Sequence, residues 1–170
     1  VSNEEEIKNT LASLRKSHFD ASHHCYAWVL GSDGAAFRAN DDGEPNHSAG
    51  DPILGQIRSK QLTNVLIVVV RYFGGTKLGV SGLIQAYKTS ASIAIAENEI
   101  IQEWVKINLE LKFPYPAMNE VMKVVKALDL EIFSQEMELD CRMTLTFRKG
   151  LMDQVYTKLE GIERLTINIG

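Results

Sequence analysis

Residues 106–113 read KINLELKF, and apolar and polar side chains alternate along the whole stretch. Alternation with a period of two predicts a strand with one buried face and one face in water. Residues 139–148 show the same alternation, with apolar side chains at the odd-numbered positions from Leu139 to Phe147. These two stretches decide the fold of this half of the chain, because each must turn its apolar side toward a covering layer.

The segments around these two strands complete a recognisable order of elements. Apolar residues recur at intervals of three and four over 118–128 and 151–159, which predicts two helices. Shorter strands are predicted at 131–135 and 165–169. The order strand, helix, strand, strand, helix, strand is that of the split βαβ, or ferredoxin-like, fold. Both helices must cover the apolar face, so we expect the polar face of the sheet to be open.

The open face is polar and has mixed charge. Its predicted side chains are Asn108, Glu110, Lys112, Asp140, Arg142, Thr144, Thr146, Arg148, Thr166 and Asn168. None is aromatic, whereas RNA-recognition sheets of this topology stack bases on exposed aromatic rings. Cations exceed anions by only one, so we expect any nucleic-acid contact here to be weak and directed at the backbone. Contact with the first domain or with another protein explains such a face equally well.

The first hundred residues follow a different pattern. The predicted elements are a helix from Ser2 to about Lys16, strands at His24–Leu30 and Ala36–Ala39, a helix at Pro52–Gln61, a strand at Val65–Val70 and a helix at Val80–Asn98. The strand at Val65–Val70 shows no alternation, which predicts that it is buried on both faces at the centre of a sheet. The chain is therefore predicted to be α+β, with a first domain over 1–102 and a ferredoxin-like domain over 103–170.

Composition excludes several classes of protein. The 170 residues include 18 Lys and Arg against 22 Asp and Glu, a net charge of −4, which excludes a broad basic surface but not a local basic patch. No apolar run approaches the ~20 residues of a membrane span, so no membrane association is predicted. The two cysteines lie far apart and no secretion signal precedes them, which favours a reduced, cytoplasmic setting.

A glycine-rich segment, GGTKLGVSG at residues 74–82, follows the predicted buried strand and precedes a helix. Small glycines and free N–H groups at a helix start suit the binding of an anion. The spacing matches neither the Walker A loop nor the dinucleotide-binding pattern. The candidate anion donors are Arg71, Lys77 and the backbone N–H groups of Gly79, Val80 and Ser81. A tight turn with close packing of helix on strand explains the glycines about as well.

Acidic and histidine residues form two further groups. Asp41, Asp42 and Glu44 lack the spacing of a calcium loop, and they suit a hard cation, a basic partner or a turn in which an aspartate caps a helix. His23 and His24 point to opposite faces of a strand, and no zinc-type spacing accompanies them. Neither a resident metal nor a cofactor is predicted, and Cys25 is predicted to be a small buried hydrophobic residue.

Several motifs occur together within residues 8–100. They are His23-His24-Cys25 with Ala27, Asp41-Asp42-Gly43-Glu44-Pro45, Ala49-Gly50, Val70-Arg71-Tyr72-Phe73-Gly74-Gly75, Leu78-Gly79, Gly82-Leu83 and Ala86-Tyr87. In combination they resemble the IMPACT family, whose bacterial branch is called YigZ-like. The resemblance implies a first domain similar to the second domain of ribosomal protein S5 and a second domain similar to the last domain of elongation factor G. It also implies that a first strand, which family members usually carry ahead of these motifs, is missing here.

The resemblance implies a non-enzymatic regulator of translation that contacts RNA, the ribosome or a translation-associated protein. The predicted binding residues line one cleft of the first domain: His23, His24, Asp41, Asp42, Glu44, Arg71, Gly74, Gly75, Lys77, Gly79 and Ser81. One alternative is a metal-dependent hydrolase of a small phosphorylated or peptide-like substrate, with His24 as acid or base beside the three carboxylates. The other alternative is a protein-docking module.

Overall fold

The computed structural model describes residues 1–169 and divides the chain into two compact units, Val1–Ile101 and a second unit that begins at Gln102. Helices combine with two separate antiparallel sheets, one in each unit, which confirms the predicted two-domain α+β class. Each unit has its own apolar core. Within residues 1–169, none of the helices combines the length and the apolar character needed to cross a membrane.

The first unit is a three-stranded sheet between two helical layers. Its elements are α1 (Glu4–Ser17), β1 (His23–Leu30), β2 (Ala36–Asn40), α2 (Gly50–Ser59), β3 (Val65–Arg71) and α3 (Gly79–Ala96). Even-numbered residues of β1 from Tyr26 to Leu30 pack with Ile7 of α1, and odd-numbered residues from Cys25 to Val29 pack with α2 and α3. Because both faces of β1 are apolar, each face is covered by helices.

The centre of this sheet is β1, since the strand order is β2-β1-β3, and the prediction that Val65–Val70 forms the central strand was wrong. Within β3 only Ile67 is buried. An unbroken apolar run shows that both faces of a strand are covered, but it carries no information about which edges are paired. Within the described chain no strand pairs with the other edge of β3, and a groove of about 450 Å³ lies beside it, lined by residues 62–68, 94–95 and 98–101.

The second unit has the predicted split βαβ arrangement. Its elements are β4 (Lys106–Pro114), α4 (Met118–Ala127), β5 (Glu131–Glu136), β6 (Asp140–Arg148), α5 (Met152–Leu159) and β7 (Thr166–Ile169). The strand order β5-β6-β4-β7 puts the two strongly alternating strands in the middle of the sheet. Their apolar side chains pack with α4 and α5, and the opposite face carries a polar groove of about 360 Å³. Phe133, beside a bulge in β5, is 71% exposed.

Candidate functional site

The Asp41 carboxylate holds the start of α2. It accepts hydrogen bonds from the backbone N–H groups of Gly50 at 2.8 Å, His47 at 2.9 Å and Ala49 at 3.0 Å. Although burial acts to raise the pKa of Asp41, these three donors hold it below its ordinary value. Asp41 therefore has the capping role that was one of the alternatives for the acidic run. This cap also explains why α2 begins at Gly50, two residues earlier than predicted. The capping side chain lies nine residues before Gly50, so the local sequence does not indicate it.

Asp42 joins the same loop to β1 and α1. Its carboxylate accepts the backbone N–H of His24 at 2.7 Å and a guanidinium N–H of Arg15 at 2.8 Å. The Asp42 carbonyl oxygen lies 2.8 Å from Nδ1 of His23. Its backbone has a φ of 42°, in the left-handed region that aspartate tolerates better than most residues. Asp42 thus holds α1, β1 and the loop before α2 together.

Glu44 is the most deeply buried of the three acids, with its side chain only 4% exposed. Its carboxylate forms an ion pair with Arg71 and accepts the hydroxyl of Tyr87 at 2.8 Å. The Tyr87 hydroxyl oxygen in turn lies 3.3 Å from the Cys25 thiol. We refer to Cys25, Glu44, Arg71 and Tyr87 as the buried network. It connects residues from β1, the loop before α2, β3 and α3, so it fixes four segments of the first unit relative to one another.

The protonation states of the buried network follow from its surroundings. Burial raises the pKa of Cys25 to about 11, and the nearby charges of Glu44 and the two aspartates act in the same direction. The pKa of Tyr87 is also raised, chiefly by burial and then by its bonds to Cys25 and Glu44. The bond to Glu44 raises the pKa of Arg71. At neutral pH the network therefore holds one ion pair and two neutral donors, and its thiol is a poor nucleophile.

We expect this thiol to make the first unit sensitive to alkali. The pKa of Cys25 is raised in the native state, so its contribution to stability is complete below the unfolded thiol's pKa of about 8.5 and is lost as the pH rises toward 11. Cys25→Ala should flatten the fall in unfolding free energy over this range by up to about 1.4 kcal/mol per pH unit. Chemical denaturation at pH 8, 9, 10 and 11 measures this, with Cys141→Ala as the matched loss of a buried thiol. Equal slopes for wild type and Cys25→Ala would contradict it.

The two adjacent histidines lie on opposite faces of β1, as strand alternation predicts. His23 lies on the face of the buried network, with Nε2 3.8 Å from the Glu44 carboxylate. His24 is 8% exposed, and among the described residues its Nε2 has no hydrogen-bond partner. Within residues 1–169 no three His, Cys, Asp or Glu side chains form a group able to hold a metal ion. The three carboxylates that the hydrolase alternative needs as ligands are already bonded to protein donors.

Residues 72–81 are not part of the buried network and are exposed throughout. We refer to them as the glycine-loop surface. Gly75 and Gly79 have φ of 88° and 72°, so their conformation requires glycine. Within the described chain, a Cβ added at Gly74, Gly75 or Gly79 would meet no atom within 4 Å, so close packing of helix on strand does not explain these three. Lys77 lies in this loop, and no described side chain caps the start of α3 or places an acid in its first turn.

The structure thus separates the predicted site into two parts. Glu44 contacts Arg71 and His23, and the Asp41 and Asp42 carboxylates accept backbone N–H groups of α2 and β1. Lys77, Ser81 and the loop glycines belong to the exposed surface that follows Arg71. The sequence interpretation did not assign a role to the Tyr87 hydroxyl. Tyr87 lies four residues after Leu83 on the apolar side of α3, so the helical pattern marks it only as a core residue, and its partner Glu44 is 43 positions away.

Fold and site together define a two-unit α+β protein whose first unit combines a buried ion-pair network with an exposed glycine loop. The model of the Impact N-terminal domain matches residues 1–95, more than half of the chain. The chain belongs to the IMPACT family. This confirms the resemblance inferred from the motifs.

Individual relatives extend this match. The chain is 40% identical to the IMPACT family member YvyE of Bacillus subtilis over 107 residues, which are 60% of this chain and 49% of YvyE. This alignment therefore spans about half of the relative. Identity to the IMPACT family member YigZ of Escherichia coli is 28% over 167 residues, 97% of this chain and 82% of YigZ. A crystal structure described as that of a hypothetical protein has a TM-score of 0.68 and 28% identity, covering 94% of this chain and 80% of that one.

Proposed function

We propose that this protein is a non-enzymatic, translation-associated binding protein that contacts RNA through the glycine-loop surface. Membership of the IMPACT family supports a regulatory, translation-associated role. The main support for an RNA contact is the glycine-loop surface, which combines exposed Lys77 with the start of an 18-residue helix that no described side chain caps. A phosphate is bound by this combination of donors, because backbone N–H groups and the helix dipole favour an anion there.

The electrostatics of the first unit support a local contact rather than a broad one. Asp42 is paired with Arg15, and Glu44 is paired with Arg71, so these acids do not present unpaired negative charge beside the loop. Lys77 adds a positive charge within the loop itself. The protein as a whole carries a net charge of −4, so RNA binding depends on this one surface, and its single lysine makes the affinity fall only moderately with salt.

We assign the buried network a supporting role in this function. Arg71 is the last residue of β3, and Tyr72 follows it at the start of the glycine-loop surface. The ion pair with Glu44 fixes the position of Arg71, so it fixes the point from which the loop departs. A binding loop on a rigid base loses less conformational entropy when it binds than a loop on a mobile base. In this proposal His23, Asp41, Asp42 and Glu44 shape the site without touching the RNA phosphates.

Lys77→Ala is expected to weaken RNA binding and to reduce its salt dependence. Loss of one phosphate contact to a single strand lowers the slope of log K against log salt by about 0.7. Fluorescence anisotropy of the whole chain with a labelled RNA, measured between about 50 and 200 mM salt, gives both quantities. Lys88→Ala removes an exposed lysine further along α3 and is the matched control, with an expected effect near zero. Binding that is independent of salt, or equal in wild type and Lys77→Ala, would refute the RNA contact.

A protein partner is the second candidate, because three apolar side chains are exposed beside the same loop. Leu78, Val80 and Ile84 lie at the start of α3 and are all exposed. Exposed apolar patches with a polar rim are typical of protein interaction sites. Affinity capture of the tagged protein from its own cells separates the two candidates. A partner that is retained after nuclease treatment and lost in Val80→Ser/Ile84→Ser favours protein docking over RNA.

A further inference from the structure

Two aromatic side chains open the glycine-loop surface. Tyr72 is 52% exposed and Phe73 is 48% exposed, directly after the last residue of β3. Neither ring belongs to an apolar core cluster of the first unit. Half of each aromatic side chain is therefore in contact with water, although aromatic rings gain the most of any side chain from burial. A surface that presents two such rings beside a cation is suited to a flat, aromatic ligand.

Both residues make contacts with neighbouring parts of the chain. The Tyr72 hydroxyl lies 2.8 Å from Nδ1 of His18, and the two rings meet edge to face with centroids 6.3 Å apart. The backbone N–H of Phe73 donates to Oγ of Ser22 at 3.3 Å. The Arg71 guanidinium carbon lies 5.6 Å from the centroid of the Phe73 ring. The rings are thus positioned by contacts within the chain and keep exposed surface for a ligand.

We infer that the glycine-loop surface binds single-stranded RNA, with unpaired bases stacked on Phe73 and Tyr72 and the backbone held by Lys77 and the start of α3. This inference rests on the proposed RNA contact, and it adds the class of RNA and the residues that bind its bases. Base stacking on aromatic side chains, in a groove with positive charge, is the general means of binding single strands. Arg71 contributes to the Phe73 side of the site through its cation–π contact.

The exposed rings favour a single strand over a duplex for a geometric reason. Bases in a duplex are stacked on one another, and only splayed or terminal bases offer a free face to a protein ring. A duplex contact would instead need several cations spaced along its phosphates. In the loop itself, from residue 72 to residue 81, the only cationic side chain is Lys77. The affinity for RNA must therefore come largely from stacking.

The test compares two forms of one RNA against matched variants of the whole chain. The probe is a labelled RNA of about 12 nucleotides with no self-complementarity, used alone and annealed to its complement. Phe73→Leu keeps an apolar side chain of moderate size but removes the ring, and Phe73→Tyr keeps the ring. Because stacking contributes about 1–3 kcal/mol per base, Phe73→Leu is expected to weaken single-strand binding about fivefold or more, and Tyr72→Leu to weaken it in the same direction. Phe73→Tyr is expected to bind like wild type.

The salt dependence separates this inference from the proposal on which it rests. Phe73→Leu should leave the slope of log K against log salt unchanged, whereas Lys77→Ala should lower it. If both leucine variants bind like wild type while Lys77→Ala is weaker, the stacking inference is overturned and the RNA contact stands. A duplex bound as tightly as the single strand would also overturn it. If neither form of RNA binds the wild type, both proposals are refuted. Thermal unfolding of each variant shows that an exposed substitution has left the fold intact.

Discussion

Glu44→Ala is expected to lower the free energy of unfolding of the first unit by about 3 kcal/mol, because removing one partner of a buried ion pair leaves an uncompensated charge. The substitution leaves Arg71 without its carboxylate and the Tyr87 hydroxyl without its acceptor. Tyr87 is 2% exposed and the Arg71 side chain is 19% exposed, so water replaces the lost carboxylate only in part. The loss is therefore larger than the loss of an exposed ion pair, which is typically below about 1 kcal/mol.

Tryptophan fluorescence can measure this loss of unfolding free energy in the first unit alone. The chain has two tryptophans, of which Trp28 is buried in β1 and Trp104 is exposed in the second unit. In a Trp104→Phe background, denaturant unfolding followed at Trp28 reports on the first unit alone. Lys106–Glu131 is an exposed ion pair in the second unit, so Glu131→Ala is the matched control, with an expected effect near zero in this assay.

A double-mutant cycle distinguishes a coupled pair from two independent contacts. Arg71→Met should also destabilise, since it leaves the Glu44 carboxylate buried with the Tyr87 hydroxyl as its one remaining hydrogen-bond donor among the described residues. The combination of Glu44→Ala and Arg71→Met removes both charges and should cost clearly less than the sum of these two single changes. Additive costs, or a loss below about 1 kcal/mol for Glu44→Ala, would show that the network does not hold the unit together.

Gly50→Ala is expected to be the other large change, with a loss of about 3 kcal/mol, at the upper end for overpacking. A Cβ at Gly50 would lie 2.5 Å from the backbone nitrogen of Asn40 and 2.9 Å from its carbonyl carbon. These are main-chain atoms at the end of β2, so relief of the clash requires the helix to move away from the strand. Such a movement also lengthens the bond from the Gly50 N–H to Asp41.

Gly55→Ala is the matched control, because it makes the same chemical change in the same helix. Within the described chain, a Cβ at Gly55 would meet no atom within 4 Å. Alanine in a helix interior is favoured over glycine by about 0.5–1 kcal/mol, so this variant should gain stability. The same unfolding assay measures both variants. A loss from Gly55→Ala equal to the loss from Gly50→Ala would mean that the contact with Asn40 does not explain the cost of a side chain at position 50.

Both predictions concern how the proposed RNA-binding surface is supported. Asp41 and Gly50 seat α2 against β2, and the ion pair between Glu44 and Arg71 joins the preceding loop to β3. The glycine-loop surface begins one residue after Arg71. We therefore expect RNA binding to weaken in a Glu44→Gln variant that stays folded, without the change in salt slope that Lys77→Ala produces.

The two units differ in how far the sequence could predict them. In the second unit, alternation along 106–113 and 139–148 marks one buried face per strand, and the observed sheet follows that pattern. In the first unit, β1 and the strand at residues 65–71 are both largely apolar, so periodicity cannot tell the central strand from the edge strand. Only the pairing of β1 with both neighbours settles the order.

For the candidate site, the sequence by itself determined the residue types, the separation of His23 from His24 on opposite strand faces and the loop character of residues 74–78. Periodicity gives these directly, because the burial of a residue depends on its position within its own element. Only the tertiary structure decided that Glu44 meets Arg71 and Tyr87, which are 27 and 43 residues away, and that Asp41 caps α2. A polar pair depends on how separate elements pack, so its partners appear only once sheet order and helix placement bring distant residues together.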